Sequence, residues 1–202
     1  TYGTATDAKG HKTETDANGN EYCTECDTYK TAQAIYQEDD NGNGILTFIK
    51  EYHIYGNGET YNGEDVIITD SGVETTMYGF DDNASTVMYL LEDEPEGPVL
   101  PAWSSKATNI KKVVFNNTIT PVSTFGWFAD CVHLTTIEGL GKLNTGSVQN
   151  MGYMFKSCES LIEIDIDGFE TNEVTNMTYM FYQAGYNAGT WNLGNLNAWD
   201  AS

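Results

Sequence analysis

The sequence contains no arginine; its nine basic residues are all lysine, set against thirty acidic ones, for a formal charge of −21 at pH 7. A surface so short of positive charge cannot neutralise a phosphate backbone, which argues against nucleic acid and anionic membrane as partners. No apolar run approaches the roughly 18 residues of a spanning helix, so no membrane insertion is expected. Neither a basic-then-apolar leader nor a terminal anchor motif stands in these residues. Histidine is scarce as well: His11, His53 and His133 lie far apart, and no G-x-S-x-G, H-E-x-x-H or phosphate-cradling glycine loop occurs. Asp165 and Asp167 alternate, but an acidic chain produces such pairs by chance. We therefore expect no enzyme and no cofactor.

What the sequence does contain is a repeat. Leu143-Asn144-Thr145-Gly146-Ser147-Val148-Gln149-Asn150-Met151-Gly152-Tyr153-Met154-Phe155 recurs 26 residues on as Phe169-Glu170-Thr171-Asn172-Glu173-Val174-Thr175-Asn176-Met177-Thr178-Tyr179-Met180-Phe181. Cys131, Leu134 and Ile137 recur at 27 residues as Cys158, Leu161 and Ile164, while the third cysteine position is lost to Ala184 and Gly185. Each unit has two periodicities. Val148, Met151, Met154 and Phe155 are spaced as one face of a short helix, with Asn150 and Asn176 as candidate caps. Leu161, Ile164 and Ile166 follow L-x-x-L-x-L, whose last positions alternate as in a strand. Four strands are expected near 110–115, 134–140, 161–166 and 190–194, with three helical segments between them. The predicted fold is an α/β solenoid: a short leucine-rich-repeat stack with a parallel sheet, preceded by an N-terminal β-hairpin region. A lone unit cannot offset its own chain entropy, so the units must stack. The last stops at Ser202 near where another helical segment would begin, as if the stack continued in a longer protein.

The motifs Val174-Thr175-Asn176-Met177-Thr178-Tyr179-Met180-Phe181 and Cys158-Glu159-Ser160-Leu161-Ile162-Glu163-Ile164-Asp165-Ile166-Asp167-Gly168-Phe169-Glu170-Thr171 resemble the units of the BspA-like leucine-rich-repeat surface proteins. The resemblance covers about residues 105–202, with a lead-in from Tyr89 through Phe115. It implies an extracellular or cell-surface protein of bacteria or protists that adheres to host proteins or other cells.

Upstream, Tyr36, Asp39, Asp40, Asn41, Ile45 and Phe48 correspond to Tyr78, Asp81, Asp82, Asn83, Val87 and Leu90 at an offset of 42. Both copies read as β-hairpins, the first turning through Asn41-Gly42-Asn43-Gly44. Glu94-Pro95-Glu96-Gly97-Pro98 reads as a linker. The chain thus divides into a loosely ordered segment 1–30, a hairpin region 31–95 and the repeat stack 96–202. Asp39-x-Asn41-x-Asn43-Gly44 imitates half a calcium loop, although Lys50 stands where the bidentate Glu belongs, and a plain turn is the simpler reading. Cys23-Thr24-Glu25-Cys26 with His11 forms part of a zinc-type donor set, against which stand a local disulfide or two plain thiols. Cys131 and Cys158 should lie about one strand spacing, ~4.8 Å, apart. That separation is open to a disulfide, but parallel side chains favour reduced, buried thiols.

No metal is assigned. The expected function is a non-enzymatic binding or adhesion module whose exposed strand positions Lys111, Thr135, Thr136, Glu138, Ile162, Glu163, Asp165 and Asn192 meet a protein on a host or neighbouring cell. The alternatives are a structural stalk or fibre-forming subunit that self-associates, and a carbohydrate-binding surface using Trp103, Trp127, Tyr153, Tyr179 or Trp191.

Overall fold

The structure is a computed structural model, and it describes residues 5–6, 12–17, 20–24, 28–79, 98–189, 191–194, 196 and 199. The second expected hairpin beyond Gly79, the linker at 94–97, His11 and Cys26 lie outside the described residues. Of the first thirty residues, the described ones form a four-stranded antiparallel sheet of β1 (Ala5–Thr6), β2 (Lys12–Thr15), β3 (Glu21–Cys23) and β4 (Thr28–Tyr29).

The first hairpin forms as the sequence predicts. β5 (Thr31–Glu38) and β6 (Gly44–Glu51) pair antiparallel, with Glu38 opposite Gly44. β5 also pairs with β8 (Glu64–Asp70), which is edged by β7 (Thr60–Tyr61). On the other side β6 runs parallel to β9 (Ile110–Phe115), and β9 parallel to β10 (Thr136–Glu138). The mixed six-stranded sheet therefore has the order β10-β9-β6-β5-β8-β7. β5 is central and buried on both faces: Ala32, Ala34 and Tyr36 join the main core, while Ile35 packs with Ile49 and Val66. Its two buried glutamines escape the desolvation penalty by clamping the loop between β6 and β8. Gln33 donates to the His53 carbonyl (2.6 Å) and accepts from Tyr55 N–H (3.0 Å), and Gln37 donates to the carbonyls of Tyr61 and Glu64.

The α/β solenoid is not what the chain builds. Among the described residues there is no α-helix, only two 3-10 segments, Ala102–Asn109 and Leu140–Lys142, and the regular strands belong to one antiparallel and one mixed sheet. Of the four expected repeat strands, 110–115 is β9 and 134–140 shrinks to β10. The segments 161–166 and 190–194 share only the bridge Glu163–Asn192. The expected apolar face of the 148–161 repeat is buried at Val148, Met151, Met154, Phe155, Cys158 and Leu161, but the backbone beneath it is not helical.

Hydrogen bonding explains the difference. In a helix every N–H bonds four residues back; here the N–H groups alternate between two destinations. Met154, Lys156 and Cys158 bond three residues back, to Met151, Tyr153 and Phe155, closing successive turns. Met151, Tyr153, Phe155 and Ser157 instead donate sideways to the carbonyls of Asn176, Thr178, Met180 and Tyr182 in the next repeat. A helix of two turns is marginal alone, so lateral bonding wins. Its geometric signature is a left-handed residue at matching places in each repeat: Gly126, Tyr153 and Tyr179 (φ 64°, 60° and 54°), and Asp130, Ser157 and Gln183 (60°, 57° and 56°). Asn150 and Asn176 do not cap helices; each side-chain carbonyl accepts the N–H two residues on, at 2.9 Å.

The stacked turns and the sheet share one core. Phe48 of β6 stacks on Phe115 (4.4 Å between ring centroids) and on Trp127 (4.9 Å), with Trp103 edge-on at 5.5 Å. From there Phe128, Phe155 and Phe181 form a ring column at 5.4 and 5.7 Å. At the turn after β10, Gly139 has φ 72°, and a Cβ there would sit 2.6 Å from the Phe115 carbonyl oxygen. Gly139→Ala is expected to destabilise the protein by about 1–3 kcal/mol in urea unfolding. Gly168→Ala, with open space around it, should stay within about 0.5 kcal/mol.

Candidate functional site

The eight expected contact residues do reach solvent. Lys111, Thr135, Thr136, Glu138, Ile162, Glu163, Asp165 and Asn192 are all exposed, while their neighbours Ile110, Val113, Leu134, Leu161, Ile164 and Ile166 are buried. The structure sets them in two adjoining groups. In the first, Thr136 lies opposite Lys112 in the parallel β9–β10 pair, and the Thr135 N–H and hydroxyl both meet the Lys111 carbonyl. In the second, Glu163 bridges to Asn192, and Ile162 stands 56% exposed beside them. Ser160 Oγ donates to the Val132 carbonyl at 2.7 Å, which ties the two lead-in turns together.

The positive charge nearby is already engaged. Lys111 Nζ donates to Asn43 Oδ1, and Lys112 pairs with Glu138 at 2.8 Å. Glu163 and Asp165 have no cationic partner among the described residues, so the row presents net negative charge around one exposed isoleucine.

The two metal candidates fare differently. Asp39, Asn41 and Asn43 do converge, but on each other: Asp39 Oδ1 accepts the N–H groups of Asn41 and Asn43, and Oδ2 accepts Asn43 Nδ2, each at 2.9 Å. These bonds, the Asn43 side chain first, hold the Asp39 carboxyl below the usual Asp range. The Asp39 carboxylate is thus engaged in making the turn, and Asn43 Oδ1 is taken by Lys111. Cys23 is buried in β3 opposite Thr13; its suggested companions His11 and Cys26 lie outside the described residues. Among the described residues no group of three or more His, Cys, Asp or Glu is placed to hold a metal. A carboxyl whose folded pKa is depressed stabilises the fold above its unfolded pKa, about 3.9, and that stability is lost as pH falls through the lower folded value. Asp39→Asn should therefore be less stable than the parent at pH 7, with the gap closing as acid titrates the parent's Asp39; chemical unfolding across pH checks this.

Of the aromatic residues considered for sugar stacking, Trp103 and Trp127 are 1% exposed and serve the core. Tyr179 is exposed, its ring 5.3 Å from that of the exposed Tyr182, and Tyr186 is exposed as well. Tyr179 was among the residues considered from the sequence; Tyr182 and Tyr186 were not, since neither belongs to the repeated motif.

Cys131 and Cys158 are both free and buried at equivalent places in successive turns, and Cys158 Sγ donates to the Phe128 carbonyl at 3.1 Å. Burial pushes both thiols well above the ordinary cysteine range, helped by the nearby Asp130. They behave as small core groups. Alkylation at pH 8, mapped by mass spectrometry, should modify Cys131 and Cys158 at least about 100-fold more slowly in the native protein than in urea.

Residues 103–202 match the sequence model of a family described as "Mycoplasma protein of unknown function, DUF285". The match begins at Trp103, so it takes in the repeats together with the segment that leads into them. No curated protein and no solved structure matches the chain. No helix among the described residues is long and apolar enough to cross a membrane.

Proposed function

We propose that this protein is a non-enzymatic binding or adhesion module, extracellular or at a cell surface, which recognises a protein on a host or neighbouring cell through its exposed row. The observation that carries this reading is the alternation along that row. Eight polar or aliphatic side chains face solvent over a backbone whose intervening side chains are locked in the core, so the row is held rigid without being consumed by packing. A rigid surface loses little entropy on binding. The resemblance of the repeat motifs to BspA-like surface proteins supports the location and the adhesive role. Ile162 supplies the apolar anchor, and Glu138, Glu163 and Asp165 supply a charge that favours a basic protein surface.

Replacing Ile162, Glu163, Asp165 and Asn192 together by Ser should weaken adhesion to the cognate cell surface at least tenfold, about 1.4 kcal/mol, while leaving the unfolding midpoint nearly unchanged. Undiminished binding would remove the row as the site. Sedimentation of the parent protein separates the stalk or fibre alternative, which requires assemblies that grow with concentration.

A further inference from the structure

On the face of the six-stranded sheet opposite the main core, Tyr55 and Tyr61 pack against Ile35, Ile49 and Val66. Both tyrosines belong to the segment 52–63 that joins β6 to β8. The segment is pinned from below, because the buried amides of Gln33 and Gln37 bond the backbone of His53, Tyr55, Tyr61 and Glu64. Its side chains are thereby fixed around an open cleft of about 460 Å³, lined by His53, Tyr55, Gly58, Glu59 and Thr60. Three rings meet there at near right angles. His53 stands 4.8 Å and 86° from Tyr55, and Tyr55 stands 5.1 Å and 80° from Tyr61. Glu59 Oε2 accepts the Gly56 N–H at 2.5 Å and lies 3.0 Å from His53 Nε2. These contacts, the Gly56 N–H first, hold the Glu59 carboxyl below the usual Glu range, so it is charged at neutral pH. Glu59 Oε1 has no hydrogen-bond partner among the described residues. Glu51 stands close enough to add, after burial, to the upward push on the Tyr55 phenol. Neither Glu51 nor Glu59 pairs with a lysine among the described residues; the lysines nearest in sequence, Lys30 and Lys50, are taken by Glu21 and Glu74.

We propose that this cleft receives the guanidinium of an arginine on a protein partner, stacked against the Tyr55 ring and hydrogen-bonded to the free oxygen of Glu59. Charge selects a cation, and the rings select which cation. A hard metal ion needs several converging oxygens, whereas no three His, Cys, Asp or Glu among the described residues are placed to supply them, and aromatic rings offer such an ion nothing. A guanidinium is planar and weakly hydrated, so it stacks on a ring while its N–H groups reach a carboxylate. An ammonium gives up more hydration for the same contacts. The 202 residues contain no arginine, so a second copy of them cannot fill the cleft. The cleft shares no residue with the solvent-facing row and does not rest on the adhesion reading.

Amide NMR of the whole chain, titrated with the tripeptide acetyl-Gly-Arg-Gly-amide, tests the assignment. The amides of Gly56, Gly58 and Thr60 should shift saturably, with a dissociation constant on the order of 1 mM. Replacing the arginine by citrulline, which keeps the shape and removes the charge, should weaken binding about tenfold, and replacing it by lysine about threefold. Glu59→Gln keeps an acceptor for the Gly56 N–H, and Tyr55→Leu keeps apolar contact with Ile35. Spectra of both variants outside 52–63 should therefore match the parent, while the arginine peptide binds about tenfold and threefold more weakly, respectively. The proposal is overturned if no saturable shift appears at these amides, if the citrulline or lysine peptide binds as tightly, or if both variants bind undiminished. Shifts confined to the row around Glu138 and Glu163 would place the arginine there instead, and free arginine binding more tightly than the peptide would make the cleft a small-metabolite site; either result also overturns it.

Discussion

The repeat region depends on one constraint: a chain whose turns are too short to be stable helices must satisfy its backbone by bonding sideways. From Thr124 to Asp130, and again from Met151 to Ser157, every second N–H leaves its own turn for the next repeat. Once that choice is made, much else follows. The residues at 153, 157, 179 and 183 must adopt left-handed backbone despite carrying side chains, at about 1–2 kcal/mol each. The repeats must keep an equal number of residues between bonded positions, which is why Val148-x-Asn150-Met151 and Val174-x-Asn176-Met177 hold a strict offset. The energy of that strain is recovered in the ring column of Phe128, Phe155 and Phe181 and in the fully buried Met151 and Met154.

The sheet supplies the foundation on which the first turn rests. β6 contributes Phe48, which is stacked between Phe115 and Trp127 and so joins the sheet and the turns in one core. Polar contacts reinforce the junction: Lys50 pairs with Glu74 at 3.1 Å, Glu74 accepts the Thr120 N–H, and the Lys50 N–H reaches Asn117 Oδ1. A parallel β6–β9 pair is intrinsically a long-range contact, formed only after the intervening chain has been ordered. The sheet therefore orients the row at Lys111, Thr135 and Thr136, while the turns carry it on to Ile162 and Asn192.

Much of this was legible in the sequence, and the part that was not has a physical reason. The period, the buried face of each repeat, the first hairpin and the exposure of the row could all be read from side-chain spacing. Spacing reports which side chains share a face; it does not report where the N–H groups go. The pattern Val148, Met151, Met154, Phe155 fits a helical turn and a chain of successive β-turns equally well. Tyr153 and Ser157 carry no glycine-like mark to betray their left-handed backbone, although Gly126 stands at the same place in the first repeat. The Asp39 loop is ambiguous in a similar way, because oxygens that satisfy a turn and oxygens that hold calcium come from the same residue types; the plain turn was the simpler reading. Trp103 and Trp127, candidates only for the carbohydrate-binding alternative, are buried, and no periodic partner in the sequence marks them as core.

The sideways bonding can be observed directly through scalar couplings across hydrogen bonds. Couplings are expected from the amide nitrogens of Gly126, Phe128, Tyr153 and Phe155 to the carbonyl carbons of Gly152, Met154, Thr178 and Met180. Couplings from these nitrogens to carbonyls four residues back in their own repeats would instead mean helices, and would contradict the account.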